Sequence, residues 1–369
     1  MKIGDIATIK GGKRLPKGKS LIIQPTKHPY IKIKDMYQNR ELEITSDFEY
    51  IDDETYEKIS KYVVNEGNII IAIVGNTIGL VSIIGKSLDG ANLTENCVKL
   101  INLKGYEEKF LFYYLKSPIG QAQIHNGIVG SSQPKLPLYN IEKIEIPEIS
   151  LNDQLKIVNI LDSVDRKINI NKDINDNLLQ QASAIYTDMF ISNASPTWQI
   201  GHLYDLITVR YGKDHKKLAD GIYPVYGSGG IMRYVERPIY DKESVLIPRK
   251  GTLNNVMYVN KPFWSVDTMF FTEMKLPNVA KFVFHFVKSK DLASLNAGSA
   301  VPSMTTDILN AMELPIPDAD TLEKFENIVA PMYLTVQHNT QESSRLAELR
   351  DSLLPRLMSG ELDVSNLDI

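Results

Sequence analysis

Five cations crowd one short stretch near the start of the chain: Lys10, Lys13, Arg14, Lys17 and Lys19 stand around Gly11, Gly12 and Gly18. Lysine neutralises a phosphate as a point charge, and glycine lets a backbone come close to one. A second basic group, Arg210, Lys213, Lys216 and Lys217, opens the second half of the chain in a related context, "DLITVRYGK" at Asp205–Lys213 against "DIATIKGGK" at Asp5–Lys13. Arg233, Arg249 and Lys250 flank further Gly-rich turns. A guanidinium can pair bidentately with guanine O6 and N7, whereas an ammonium more often binds phosphate. Gln133, in "GSSQP", has the amide to read adenine or to cap its own turn. A solvated charged face would use the same residue types, so the surrounding pattern has to decide between the two readings.

Overall charge does not decide it. The 369 residues carry a formal net charge of −4, but the charge is unevenly placed. Residues 1–40 hold ten Lys or Arg against Asp5 and Asp35, residues 41–66 hold nine acids against Lys58 and Lys61, and residues 196–290 hold fourteen basic and eight acidic residues. The length points to two or three domains. No apolar run approaches the ~20 residues of a membrane span, and the N-terminus has no signal-peptide stretch. The single cysteine, Cys97, cannot form an internal disulfide, so a cytoplasmic location is expected.

Catalytic chemistry finds little support. Methylation of a base amine needs an Asn/Asp-Pro-Pro-aromatic loop, and the chain has no Pro-Pro pair. "GLVSIIGKS" at Gly79–Ser87 looks like a phosphate loop but places five residues between its glycines where four are needed, so a strand pair and its turn is expected. Six scattered histidines and one cysteine show no metal-ligand spacing. Asp267, Glu273 and Lys275 loosely match a nuclease's acidic pair with lysine, which keeps a self-contained Mg-dependent DNA nuclease as the alternative. No catalytic or metal-binding residue is assigned.

The elements that must position these residues occur twice. "KFLFYYLKS" at 109–117 returns as "KFVFHFVKS" at 281–289, and its aromatics are expected in the core of an amphipathic helix. Gly130/Gly298, Ser131/Ser299, Pro134/Pro302, Ile141/Leu309, Glu145/Glu313, Ile146/Leu314 and Pro147/Pro315 match without a gap. Corresponding segments keep their order, so the chain is a tandem duplication. Each copy has short β-branched strands such as "NIIIAIVG" and "SVLIPRKG", a late amphipathic helix, then a Pro-flanked entry into a long helix. Asp153 or Asn152, and Asp320 or Thr321, are the expected N-caps of the long helices.

A 3.5-residue seam marks the first long helix: Leu161, Ile168, Asn171, Asn175 and Leu178 lie on it, with Val329, Val336, Asn339, Ser343 and Leu346 on the second. The first runs about 37 residues without internal Pro or Gly, and Pro355 interrupts the last turns of the second. An antiparallel pairing that matches Ile157 with Leu357 and Met189 with Phe325 sets Asn171 against Ser343 and Asn175 against Asn339. Such helices, ~55 Å long at 1.5 Å per residue, would act as a ruler between two globular domains. The expected fold class is α+β: a tandem duplication of a strand-rich domain followed by a long helix, the two helices packed as an antiparallel coiled coil.

This layout, with "IGDIATIKGGKRLPKG", "GSSQPKLPLYNIEKIEIP", "YPVYGSGGIMRY", "VLIPRKGTLNNVMYV", "PFWSVDTMFF" and "LRDSLLPRLMSGEL" in order, resembles the specificity subunit of type I DNA restriction-modification systems over essentially the whole chain. The resemblance implies a non-enzymatic reader of a split double-stranded DNA target. It divides the chain into target-recognition domains at 1–150 and 195–318, spacer helices at 151–194 and 319–358, and a tail at 359–369. It also implies two methyltransferase subunits as partners, S-adenosylmethionine held by them and not by this chain, restriction/translocase subunits joining that core, and no membrane association. The looser "GSAVPSM" of the second copy departs from "GSSQPKL" of the first.

Overall fold

The computed structural model describes residues 1–37, 41–295, 303–365 and 367. The chain forms two compact units, Met1–Asn171 with Gln341–Ile369, and Lys172–Thr340. In chain order, the elements up to the first long helix are α1 (Ile3–Ile6), β1 (Thr8–Gly11), β2 (Tyr30–Ile31), α2 (Asp53–Ile59), β3 (Ile69–Ala72), β4 (Val81–Ile83), β5 (Asn92–Leu93), β6 (Cys97–Ile101), α3 (Glu108–Lys116), α4 (Pro118–Asn126), α5 (Leu138–Ile141) and the long α6 (Leu151–Thr187). Then follow β7 (Gln199–His202), α7 (Leu203–Leu206), β8 (Ile207–Tyr211), β9 (Asp220–Gly227), β10 (Gly230–Val235), β11 (Ser244–Pro248), β12 (Met257–Val259), β13 (Trp264–Ser265), β14 (Met269–Met274), α8 (Ala280–Lys288), α9 (Thr306–Asn310), β15 (Glu313–Ile316) and the long α10 (Ala319–Met358).

The duplication is visible strand by strand. The first unit's sheet has the order β1-β6-β3-β4 and the second β8-β14-β11-β12, both antiparallel throughout. Each unit adds a short parallel pairing, β2 with β5 and β9 with β13. The central strands are apolar without alternation because both of their faces are covered. Ile69 and Ile71 belong to the cluster beneath α3, while Ile70 and Ala72 face a separate cluster that includes Cys97. In β11, Val245 and Ile247 face the cluster beneath α8, and Leu246 the opposite one. Burial pushes the Cys97 thiol up to about 12, which keeps it inert. The phosphate-loop lookalike is a strand and its turn: Gly79 (φ +95) leads into β4, which pairs with β3.

The two near-identical nonapeptides form α3 and α8, and their aromatics are core residues: Phe110, Phe112, Tyr113, Tyr114, Phe282, Phe284 and Phe286 are all buried. Each helix is tied to its neighbouring long helix at the same repeat position with different chemistry. Tyr113 Oη donates to Asp165 at 2.7 Å in the first unit, and Tyr333 Oη meets His285 Nε2 at 3.0 Å in the second. Burial lowers the His285 pKa to about 4. The unfolded chain therefore takes up this proton first, and stability falls as pH drops from about 6.5 toward 4, a swing on the order of 3 kcal/mol. Both tryptophans, Trp198 and Trp264, lie in the second unit, so urea titrations followed by tryptophan fluorescence report on it. His285→Gln should remove up to about 1.4 kcal/mol per pH unit from the stability slope in that window; an unchanged slope would exclude His285 as its source.

The long helices pack antiparallel. In the first unit Asn171 Nδ2 lies 3.3 Å from Ser343 Oγ and 2.7 Å from Glu342 Oε2, and Arg350 donates to Asp165 at 2.7 Å. In the second, Asn339 Nδ2 donates to Asn175 Oδ1 at 2.9 Å. Leu161 and Val329 are buried, whereas Ile168, Leu178, Val336 and Leu346 are half-buried. Ile157 and Leu357 share one core cluster; Met189 packs on the cluster that holds Phe325. An asparagine left without its partner in such a seam costs a desolvated amide, so this pairing disfavours slipped registers.

Three local expectations are corrected. The helix caps lie earlier than Asn152 or Asp153 and Asp320 or Thr321: Ser150 Oγ accepts from Asp153 N at 3.2 Å, and Asp318 Oδ1 accepts from Thr321 N at 2.8 Å. A small polar residue two positions before the expected one reaches the N3 amide, which is the position a cap must serve. Pro355 is also not alone in interrupting the second helix, since Pro331 lies inside α10. An internal proline costs ~3 kcal/mol, and the flanking Val329 and Tyr333, both buried in the second unit's core, hold the helix through it.

Candidate nucleic-acid interface

In each unit, two strands leave the sheet on either side of the strand between them. Gly11 pairs with Val98, and Ala72 with Cys97, so β1 and β3 both exit beside the start of β6. Beyond β1, Gly12 N donates to Cys97 O at 3.0 Å and Lys13 N to Leu93 O at 2.8 Å, while Lys13 O accepts from Tyr30 Oη at 2.8 Å. Beyond β3, Ile73 N donates to Asn96 O and Leu136 N to Ile73 O, both at 2.9 Å, and Gly75 N reaches Pro134 O at 3.0 Å. The "GSSQP" loop is thereby stitched to the β3 exit.

The second unit repeats these bonds. Gly212 N donates to Met269 O at 3.0 Å, Lys213 N to Ser265 O at 2.8 Å, and Trp264 Nε1 to Lys213 O at 2.8 Å. Arg249 N donates to Thr268 O and Met304 N to Arg249 O, both at 2.9 Å, and Lys250 bridges to Ser303. Gly298, Ser299 and Pro302 of the matching loop lie outside the described residues.

Gly12 has a role other than phosphate approach. A Cβ there would stand 2.0 Å from Thr94 O, and one at Gly212 2.0 Å from Val266 O. Both glycines admit the protein's own neighbouring backbone. Gly11 and Gly18, by contrast, have nothing within 4 Å of a Cβ, and Gly18 has φ +82.

The basic residues separate into bound and unbound. Arg14 is held by Glu95 at 2.6 Å, Arg210 by Glu273 at 3.0 Å, and Arg233 by Asp220 at 2.7 Å and by Leu218 O at 3.0 Å. Lys19 bridges Glu54 at 2.6 Å and Asp52 at 3.1 Å. Asp52 is itself lowered to about 2, first by the Thr55 hydroxyl and amide and then by Lys19. Lys10, Lys17, Lys213, Lys216, Lys217 and Lys250 are exposed and meet no carboxylate among the described residues. Lys13 Nζ lies 5.5 Å from the Tyr62 ring centroid, and Arg249 Cζ 5.4 Å from that of Tyr211. The Gln133 side chain is exposed and makes no hydrogen bond among the described residues. Tyr62 and Tyr211 carry no charge to mark them in the sequence; Tyr211 stands where the first copy has Gly11.

Two of the three residues of the nuclease alternative have their side chains engaged elsewhere, and the third, Asp267, is bonded only through its backbone. Glu273 holds Arg210, Lys275 Nζ donates to Tyr204 O, and Asp267 offers its carbonyl to Arg249 at 3.4 Å. Among the described residues no group of three or more His, Cys, Asp or Glu could hold a metal ion. No helix among them is long and apolar enough to cross a membrane.

A duplicated α+β unit that presents basic loops at one sheet end, with the copies joined by long helices, describes a tandem recognition module. The family described as type I restriction modification DNA specificity domain matches residues 1–180 and 196–341, and the chain belongs to it. The type I restriction enzyme MjaIX specificity subunit of Methanocaldococcus jannaschii is 22% identical over 99% of this chain and 94% of its own length. The HindI specificity subunit of Haemophilus influenzae is 32% identical over 25% of this chain and 18% of its own. In fold, the chain is similar to the S subunit of a type I restriction-modification system from M. genitalium, with a TM-score of 0.64 and 19% identity over 97% of this chain and 95% of that one. The protein is a DNA-recognition subunit with two specificity domains in tandem, without catalytic activity of its own.

Proposed function

We propose that each unit reads one half of a split DNA target, with the strand-end corner as its reading surface. The domain limits are those of the sequence, 1–150 and 195–318, with 151–194 and 319–358 as spacers and 359–369 as tail. The observation that carries this reading is the recurrence of four equivalent main-chain bonds at one corner beside a basic loop in both units, where an aromatic side chain also donates to the carbonyl of the equivalent lysine. Lys10, Lys13, Lys17, Lys213, Lys216, Lys217 and Lys250 neutralise phosphates there. Arg14, Lys19, Arg210 and Arg233, already paired with carboxylates, contribute less. Two methyltransferase subunits that hold S-adenosylmethionine, and restriction/translocase subunits, join the chain in the cytoplasm.

Methylome sequencing of cells with and without the gene tests this, and one split motif should lose methylation. A methylome unchanged by the deletion would overturn the reading. Because Lys13 binds no acid, Lys13→Ala should weaken all DNA sequences alike and lower the salt slope of binding by ~1. Binding isotherms at several salt concentrations give that slope directly, and an unaltered slope would remove Lys13 from the interface.

A further inference from the structure

Of the second unit's four arginines, Arg237 follows β10 at the end where Val235 pairs with Asp220, away from the Ser265–Tyr226 pairing of the corner, and the structure separates the other three. Arg210 is committed to Glu273, and Arg233 to Asp220. Arg249 meets no carboxylate among the described residues; its Nη1 has only the Asp267 carbonyl at 3.4 Å, too long for a strong bond. Its backbone is nevertheless fixed on both sides, the amide by Thr268 O and the carbonyl by Met304 N, each at 2.9 Å. The next turn is equally constrained: Gly251 has φ +84, and a Cβ there would stand 2.7 Å from Ser228 Oγ. The guanidinium lies over the exposed ring of Tyr211. An aromatic shelf restricts the orientation of a planar cation while leaving its in-plane donors free.

The first unit has the same backbone without the device. Ile73 makes the two bonds equivalent to those of Arg249, and Gly11 stands where Tyr211 does. The arginine and its shelf therefore belong to one copy of the repeat only, which is the behaviour of a specificity determinant and not of a scaffold residue.

We propose that Arg249, positioned by Tyr211, reads a guanine through its O6 and N7 acceptors in the half-target recognised by the second unit. This rests on the reading that each unit recognises one half. A fixed root, an aromatic ring against the guanidinium and unfilled donors suit bidentate recognition of a guanine edge, whereas a phosphate needs only charge.

The test uses the full chain assembled with its methyltransferase subunits, with methylated motifs read by sequencing. Arg249→Ala and Arg249→Lys should each admit other bases at one position of one half-target, with discrimination falling roughly 5- to 150-fold. Tyr211→Ala should relax the Arg249 position partially. Independently of any variant's folding, the wild-type complex should lose activity by a similar factor when 7-deazaguanine replaces that one guanine, because N7 is gone. A half-target without guanine, a uniform loss on all sequences in Arg249→Ala, or indifference to 7-deazaguanine at every guanine would overturn the assignment. A wild-type complex that methylates without a split motif would instead overturn the half-site reading itself.

Discussion

Gly212→Ala should destabilise the second unit by about 3 kcal/mol or more, measured as a shift of the urea midpoint of tryptophan fluorescence. A methyl group there would stand 2.0 Å from Val266 O and 2.5 Å from Ser265 O, both backbone atoms of the strand end that Lys213 N also bonds. A flexible side chain could rotate away; carbonyls held by main-chain hydrogen bonds cannot, and Val266 O accepts from Met269 N at 2.9 Å and Ser265 O from Lys213 N at 2.8 Å. Gly229→Ala is the control, since nothing lies within 4 Å of its Cβ, and it should change stability by no more than ~0.5 kcal/mol. Gly12→Ala should damage the first unit in the same manner, because Thr94 O is 2.0 Å from its Cβ position. Were Gly12→Ala to fold normally and weaken only DNA binding, the glycine would indeed serve the ligand and the packing account would be wrong.

Lys281→Ala should cost the second unit about 3 kcal/mol. The Lys281 side chain is only 4% exposed, with Nζ 2.6 Å from Glu326 and 3.1 Å from Glu243. Its ammonium also lies 5.1 Å from the Tyr258 ring centroid and 5.8 Å from that of Tyr333. Truncation leaves the Glu326 carboxylate, 19% exposed, without its cation beside the α8 core. Adding Glu326→Gln should recover part of the loss, which a double-mutant cycle in urea would read as coupling. The repeat offers a comparison: Lys109 pairs with Glu41 and Asp162, but its side chain is 29% exposed and that of Glu41 43%. Water screens this pair better, so Lys109→Ala should cost nearer 1 kcal/mol. Equal losses at both sites, or strict additivity with Glu326→Gln, would show that burial does not set the value of the Lys281 pair.

The pairing of Asn171 with Ser343 and Asn175 with Asn339 is legible in the sequence because it follows from a local period and one symmetry assumption. The same holds for the duplication, the buried β3 and β11, and the core role of the α3 and α8 aromatics: repetition and apolar periodicity are properties of neighbouring residues. The binding residues were legible only as residue types. Whether an arginine is free depends on carboxylates brought to it by strand pairing from far along the chain: Glu95 reaches Arg14 across 81 positions and Glu273 reaches Arg210 across 63. Nothing local distinguishes those two arginines from Arg249. Gly12 shows the same limit, because a glycine that admits a phosphate and one that admits the protein's own carbonyl are identical in sequence. Only the close approach of the Leu93–Thr94 backbone decides between them. Sequence by itself determined the architecture and the helix register, which arise from short-range pattern and repetition; tertiary structure decided which charges remain available, because ion pairing and backbone clearance are set by contacts between distant strands.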